Sequence, residues 1–370
     1  MTYGNYPDLT AVRKILIIKL RHLGDVLLTS PVFSYLKSRL PEAEIHAYIY
    51  KDGEEMLSGH PAIQRFLFCE RSSSKGSKWK RIWRELKLLW QIRQEKYDLV
   101  INLTEGDRGA LAALVSGSKI AVGFDPERQG FIGKKRAYTH IVKNCKTPRH
   151  AVERNFDALR KIGLFPKQSE RALYFHVPLE AKVTAHSFCA RKGFDRPFVV
   201  INPVSRWRFK CPTPEKMAEL ISAFQTRFDE SVLLTSGPSE IEKQWLMRIY
   251  SLVENQEKIR LLNETLSIKE FAALLQQSRG LITVDSMALH LASALQIPCV
   301  ALFGPTSDEN WGPWMNDKAR VVSEGLSCRP CGLDGCGGGK RSDCLEQLST
   351  EKILSAYEEV THSTKISLLH

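Results

Sequence analysis

The sequence predicts an α/β protein of two Rossmann-like domains facing across a cleft, and three observations carry that expectation. Short apolar runs alternate with amphipathic segments in both halves, the pattern of βαβ units around a parallel sheet. The chain has 370 residues, long for one hydrophobic core, so two domains of ordinary size are expected. Residues 165–197 run from Phe165-Pro166 through Val177-Pro178 to Arg196-Pro197 around one amphipathic helix, which makes them the best linker. The expected domains are residues 1–180 and 181–345, with 346–370 a C-terminal helix packing back on the first domain.

The elements follow in order. Residues 15–20 read as a buried parallel strand, followed by a polar turn at 21–25 and a helix over 26–39. Residues 44–50 form a second strand. The amphipathic run 82–93 leads into a strand at 99–103, and a short one follows at 120–123. The rest of 104–150 is rich in turns and charge (Gly130, Gly133, Lys134, Lys135, Arg136) and reads as long loops facing the cleft. A second series begins with a strand at 198–202 and a helix at 214–228 with Pro214 in its first turn. Strands at 232–235, 281–284 and 300–303 each end in a small or polar turn, as in a nucleotide-binding half. No internal repeat is visible.

Composition narrows the class. With 43% hydrophobic and 25% charged residues, the chain is a soluble globular protein. No apolar stretch approaches the roughly 18–20 residues that span a bilayer. Met1 to Thr10 is polar and lacks the layout of a signal peptide. Nine cysteines, five of them scattered, fit a reducing compartment, so the expected location is cytoplasmic. The whole net charge of +12 falls within residues 1–180, and the remainder is neutral, which implies an anionic partner for the first half. The basic density peaks at residues 71–96, among Trp79, Trp83 and Trp90. Trp beside Lys and Arg suits a membrane headgroup region or a phosphorylated ligand, and nucleic acid is a further option. The bland alternative is a solvated helix face above a core-facing stripe of Ile82, Leu86 and Leu89.

Four segments carry the chemistry. Asp25, with Arg21 and His22, follows the first strand, and ligands of open α/β sheets sit beyond such strand ends; the competing reading is a helix cap. In the segment from Thr283 to Ala292, Ser286 and the helix-start amides suit a phosphate, with His290 adding a proton or a hydrogen bond. The competing reading is an N-cap and a satisfied histidine. Gly304-Pro305-Thr306 is a further phosphate turn. Between Asn202 and Lys210, Ser205, Arg206, Arg208 and Lys210 offer a hydroxyl and three cations for a diphosphate. No Walker A sequence, G-x-G-x-x-G or magnesium-type carboxylate cluster is present. Cys328, Cys331, Cys336 and Cys344 form C-x2-C-x4-C-x7-C, a spacing shared by a structural zinc knuckle, reduced structural thiols or an adventitious disulfide.

Arg21 through Pro31, together with Asp285 to His290 and Phe303 to Thr306, resembles the ADP-heptose:lipopolysaccharide heptosyltransferases of glycosyltransferase family 9, in particular their heptosyltransferase III branch. The resemblance runs from about residue 13 to 350. It implies a GT-B fold, an acceptor-binding first domain and an ADP-heptose-binding second domain. It also implies an inverting transfer to an inner-core heptose that needs no metal or other cofactor. On that basis Asp25 is the general base. Ser205, Lys210, Glu240, Asp285, Ser286, His290, Gly304 and Thr306 bind the donor. Arg21, His22, Lys78 and Arg81 bind the anionic lipopolysaccharide core, on the inner face of the cytoplasmic membrane of a Gram-negative bacterium. Met287 stands where the family often has glycine. The alternatives are another GT-B nucleotide-sugar enzyme, such as a different glycosyltransferase or an epimerase, and a zinc-containing nucleic-acid-binding protein.

Overall fold

A computed structural model describes residues 6–71, 78–127, 129–145, 147–194 and 197–366. The chain divides into two compact units, Met1–His176 and Val177–His370, close to the expected boundary at 180.

The first unit holds a six-stranded sheet in the order β3-β2-β1-β4-β5-β6, parallel throughout. Its strands are β1 (Lys14–Lys19), β2 (Glu44–Tyr50), β3 (Arg65–Cys69), β4 (Leu99–Asn102), β5 (Ile120–Phe124) and β6 (His140–Val142). Ile15 to Ile18 are fully buried, because helices cover both faces of a parallel sheet. The helices are α1 (Leu23–Leu27), α2 (Ser30–Arg39), α3 (Glu54–Leu57), α4 (Lys78–Gln94), α5 (Asp107–Ser116) and α6 (Ala151–Arg160). The single helix expected over 26–39 is therefore two. Pro31 has no N–H to continue α1 and instead starts α2, while the Thr29 hydroxyl donates to the Val26 carbonyl at 2.6 Å.

Residues 104–150 are not simply loops, since they contain α5. This helix ends at Gly117 in the left-handed conformation (φ 66°), where glycine carries no Cβ penalty. Gly109 within α5 is required by packing: a Cβ there would lie 2.6 Å from the Asn102 side-chain oxygen.

The second unit repeats the topology. Its strands are β7 (Phe198–Asn202), β8 (Ser231–Leu234), β9 (Ile259–Leu261), β10 (Gly280–Val284), β11 (Cys299–Leu302) and β12 (Ala319–Val322). They lie in the order β12-β11-β10-β7-β8-β9, the same winding as the first sheet. The helices are α7 (Leu179–Lys192), α8 (Pro214–Arg227), α9 (Glu240–Leu252), α10 (Ile268–Gln277), α11 (Met287–Leu295), α12 (Asp308–Trp311), α13 (Asp343–Glu346) and α14 (Thr350–Ile366).

The C-terminal helix α14 packs on the second sheet. Ile353, Leu354, Tyr357 and Val360 of α14 belong to the second unit's own core, and the buried Tyr357 hydroxyl donates to Glu230 at 2.5 Å. Residues 350–366 thus belong to the second unit's core. In each unit the strand order reverses between the first strand and its neighbour, β1/β4 and β7/β10, and ligands bind at such switch points beyond the strands' carboxyl ends.

Candidate active site

In the first unit the chain leaves β1 at Lys19 and turns into α1. His22 is the N-cap residue, with an extended backbone and no side-chain capping bond. Asp25 lies within the first turn of α1 and does not cap it. Its side chain is 12% exposed, and Arg21 Nε stands 4.0 Å from its carboxylate. Lys19 lies behind, buried, with Nζ donating to the Leu103 carbonyl at 3.2 Å and Asn155 Oδ1 at 3.1 Å. Burial takes the Lys19 ammonium down to about 8, and the Asp25 carboxylate acts against that fall. At neutral pH the base candidate therefore has a cation behind it.

Around this edge, Glu105 is paired with Arg154. Burial would raise its carboxyl, but Arg154, with Arg21 and Lys19, holds it below the usual range. Arg71 anchors the Arg21 carbonyl at 2.9 Å, and Thr104 Oγ1 accepts from the Leu20 amide at 2.7 Å. A cavity of about 140 Å³, lined by Thr104, Glu105, Asp125, Lys134 and Tyr138 among others, opens beside the ends of β4 and β5. Lys78 opens α4 and Arg81 lies in its first turn; both side chains are outside the described residues. The sequence reading missed Lys19, Glu105 and Arg154. For Lys19 there was a signal, a cation closing an otherwise apolar strand.

In the second unit, Asp285 is buried at the end of β10. Its Oδ2 accepts from Lys210 Nζ at 2.6 Å and from the Thr306 hydroxyl at 2.8 Å. The structure thus brings together three of the expected donor residues, with Asp285 positioning Lys210 and Thr306. Ser286 is the N-cap residue of α11 but makes no capping bond. Its hydroxyl lies 3.1 Å from that of Thr283 and donates to Asn202 Oδ1 at 3.3 Å. Asn202 is tied in turn to Thr235 at 3.1 Å. His290 is buried in α11 at 4% exposure. Ser205 belongs to the loop carrying Lys210, and the buried Cys211 staples that loop by accepting from the Ser205 amide at 3.1 Å.

Two expected donor residues stand differently. Glu240 is a surface residue, 77% exposed and paired with Lys243 at 3.0 Å. The carboxylate that folds over Gly237 in the turn after β8 belongs to Glu242, where a Cβ on the glycine would collide with it. Gly304 is needed for core packing: a Cβ there would lie 2.5 Å from Leu345 Cγ. Its carbonyl is held by Arg329 at 2.7 Å.

The four cysteines of the cluster differ in exposure. Cys328, Cys331 and Cys336 are exposed and Cys344 is buried. Among the described residues, no group of three or more His, Cys, Asp or Glu side chains is arranged to hold a metal ion.

Comparison with known proteins gives the family and the fold. Residues 85–339 match the family model of glycosyltransferase family 9 (heptosyltransferase). Lipopolysaccharide heptosyltransferase 3 of Escherichia coli K12 is 32% identical over 300 residues, covering 80% of this chain and 83% of that one. A family 9 glycosyltransferase structure from Veillonella parvula superposes with a TM-score of 0.79 at 22% identity, covering 97% of this chain and 100% of that one. The E. coli heptosyltransferase WaaC solved with ADP gives 0.69 at 20% identity, covering 94% and 99%. The fold is thus the expected GT-B fold, and the chain is a glycosyltransferase belonging to glycosyltransferase family 9, the heptosyltransferase family.

Proposed function

We propose that the protein transfers heptose from ADP-L-glycero-D-manno-heptose to an inner-core heptose of lipopolysaccharide, as the third heptose, with inversion. The observation that carries the reading is the Asp25 carboxylate, nearly buried beyond β1, where a base for an acceptor hydroxyl is needed. Asp25 takes the proton of that hydroxyl while its oxygen bonds to the anomeric carbon. The bond from that carbon to the diphosphate breaks, and ADP departs with the electron pair. Inversion follows from this single displacement.

Each further residue has a part. The Lys19 ammonium behind Asp25 and Arg21 beside it set positive charge against the base. In the second unit, Lys210 neutralises the diphosphate, held in place by Asp285. Thr306, Ser205 and Ser286 offer hydroxyls, Glu242 suits the ribose better than Glu240, and His290 contributes through α11. The basic first half favours an acceptor carrying phosphates and acidic sugars. No resident cofactor or metal enters, and no nucleic acid. The work is done at the inner face of the cytoplasmic membrane, where the acceptor's lipid is held.

The experiment incubates the protein with ADP-heptose and a purified truncated lipopolysaccharide carrying two core heptoses, read by mass spectrometry. A gain of one heptose, absent in Asp25→Ala, is the expected result. Consumption of ADP-heptose without acceptor would turn the reading toward an epimerase-type reaction. Failure to bind the donor would overturn it.

A further inference from the structure

The outward face of α4 is not explained by the site. Trp79, Trp83, Leu86 and Trp90 recur at intervals of four, three and four residues, so they share a sector of about 60° on the helix. Ile82 borders them. Their exposures are 71%, 70%, 52% and 62%, with Ile82 at 45%. Ile82 and Leu86 are thus turned away from the core, against the sequence expectation. The inward side is a different set: Ile92 is fully buried, and Leu88 and Leu89 pack on the first unit's core. Isolated exposed apolar residues are ordinary, whereas a continuous apolar stripe marks an interaction surface.

We propose that this face of α4 docks the protein on an anionic phospholipid bilayer, lying in the headgroup region without crossing it. No helix among the described residues is long and apolar enough to cross. Three of the four stripe positions are Trp, whose amphipathic ring favours the headgroup boundary. Exposed Lys80, Arg84 and Lys87 line one side of the stripe and Arg93 the other, as in helices that lie in an interface. The helix's one acidic residue, Glu85, is withdrawn from that flank into a 3.0 Å ion pair with Arg108 of α5. Two copies of so basic a face repel each other, and Trp is too bulky for most coiled-coil seams, which favours lipid over a second copy.

Neighbouring elements extend the surface. On α5, packed beside α4, Leu111 and Leu114 are also exposed. Ile132 is fully exposed on the loop that Lys134 ties to Asp107 at the start of α5, at 3.0 Å. The first turns of α4 are tied by the Arg84–Glu70 ion pair to the carboxyl end of β3, the same edge of the sheet that carries Asp25. A bilayer against α4 therefore lies beside the edge where the acceptor is expected. The proposal rests, for its purpose, on the reading that the acceptor is held in a lipid membrane.

The test is flotation of the protein with vesicles of phosphatidylethanolamine and phosphatidylglycerol, comparing the wild type with Trp79→Ser/Trp83→Ser/Trp90→Ser. Wild type is expected to float with the vesicles and the triple variant to bind at least about tenfold more weakly. Lys80→Glu/Lys87→Glu, which leaves the stripe intact, should lose binding at low salt. Equal flotation of wild type and triple variant overturns the proposal, as does a wild type that stays soluble. A wild-type dimer that becomes monomeric in the triple variant with no loss of flotation assigns the face to a second copy instead. Transfer to an acceptor stripped of its acyl chains, measured in parallel, separates the two readings. If flotation depends on the tryptophans but neither protein transfers heptose, docking stands and the functional reading falls. If both transfer and neither floats, only docking falls.

Discussion

Replacing Lys210 by Met removes one of two partners of the buried Asp285 carboxylate. Asp285 is 7% exposed at its side chain, and among the described residues Lys210, at 18%, supplies its only countercharge at hydrogen-bond distance, 2.6 Å. Thr306 then remains as a neutral donor at 2.8 Å. Breaking a buried pair costs about 3–5 kcal/mol because the remaining charge has neither water nor partner. The surviving hydroxyl argues for the lower end, about 3 kcal/mol. In a unit of this size that corresponds to a fall in melting temperature of roughly 6–12 °C. Adding Asp285→Asn discharges the site while keeping an acceptor for Thr306, so the double variant should recover to within about 1 kcal/mol of the wild type. Activity should not recover if Lys210 serves the diphosphate as proposed, because that cation is still missing. The assay is thermal unfolding by circular dichroism beside calorimetric titration with ADP, whose affinity should fall by about ten- to a hundredfold in both variants. A Lys210→Met protein that melts with the wild type would refute the buried-pair argument, and unchanged ADP affinity would remove Lys210 from the donor site.

Asp25→Asn should lower kcat by a factor of about 10²–10⁴ while ADP binding by calorimetry stays unchanged; a near-normal rate would leave Asp25 a mere helix-end residue. Glu242→Gln should raise the donor KM while Glu240→Gln leaves it alone, and the reverse pattern in steady-state kinetics would restore the exposed glutamate as the ribose contact. Lys19→Met should change how stability depends on pH. The folded pKa of about 8 lies below the ordinary lysine value of 10.5, so between those values the unfolded chain binds the extra proton and stability climbs as pH rises, by about 3 kcal/mol in all. Melting curves at pH 7.5 and 9.5 should show that climb in the wild type and a flatter one in the variant; equal slopes would mean that Lys19 is not a buried ammonium.

The strands that position chemistry were legible because burial on both faces leaves an apolar run with a polar stop. Residues 15–20, 198–202 and 281–284 announce β1, β7 and β10 in this way; Asp25 and Asp285 follow the first and last, and Asn202 closes β7. What the sequence hid was short or indirect. β6 and β9 have three residues each, too few for any period to show. The helix α5 begins Asp107-Arg108-Gly109, which reads as a turn, and only the contact of Gly109 with Asn102 explains the glycine. Glu240 and Glu242 are indistinguishable by spacing, since the choice is made by how the first turn of α9 meets Gly237. The stripe on α4 was misread because Ile82 and Leu86 pass for a core face until the inward side is seen to be Leu88, Leu89 and Ile92.

The repeated winding shows why the two halves hold different chemistry on one plan. Each unit anchors its switch point with a buried asparagine at a strand end. In the first, Asn102 donates to the Tyr138 hydroxyl at 2.7 Å and accepts from the Thr104 amide at 3.0 Å. In the second, Asn202 joins Thr235, Thr283 and Ser286. An asparagine is suited to this because its amide both donates and accepts, so it fixes two loops without adding charge. Charge is then free to differ. The second half cancels its own: Asp285 meets Lys210, and residues 181–370 carry no net excess. Residues 1–180 leave an excess of +12 unbalanced, the charge that an anionic acceptor and an anionic surface would both meet. Raising the salt concentration should therefore weaken the acceptor's KM much more than the donor's.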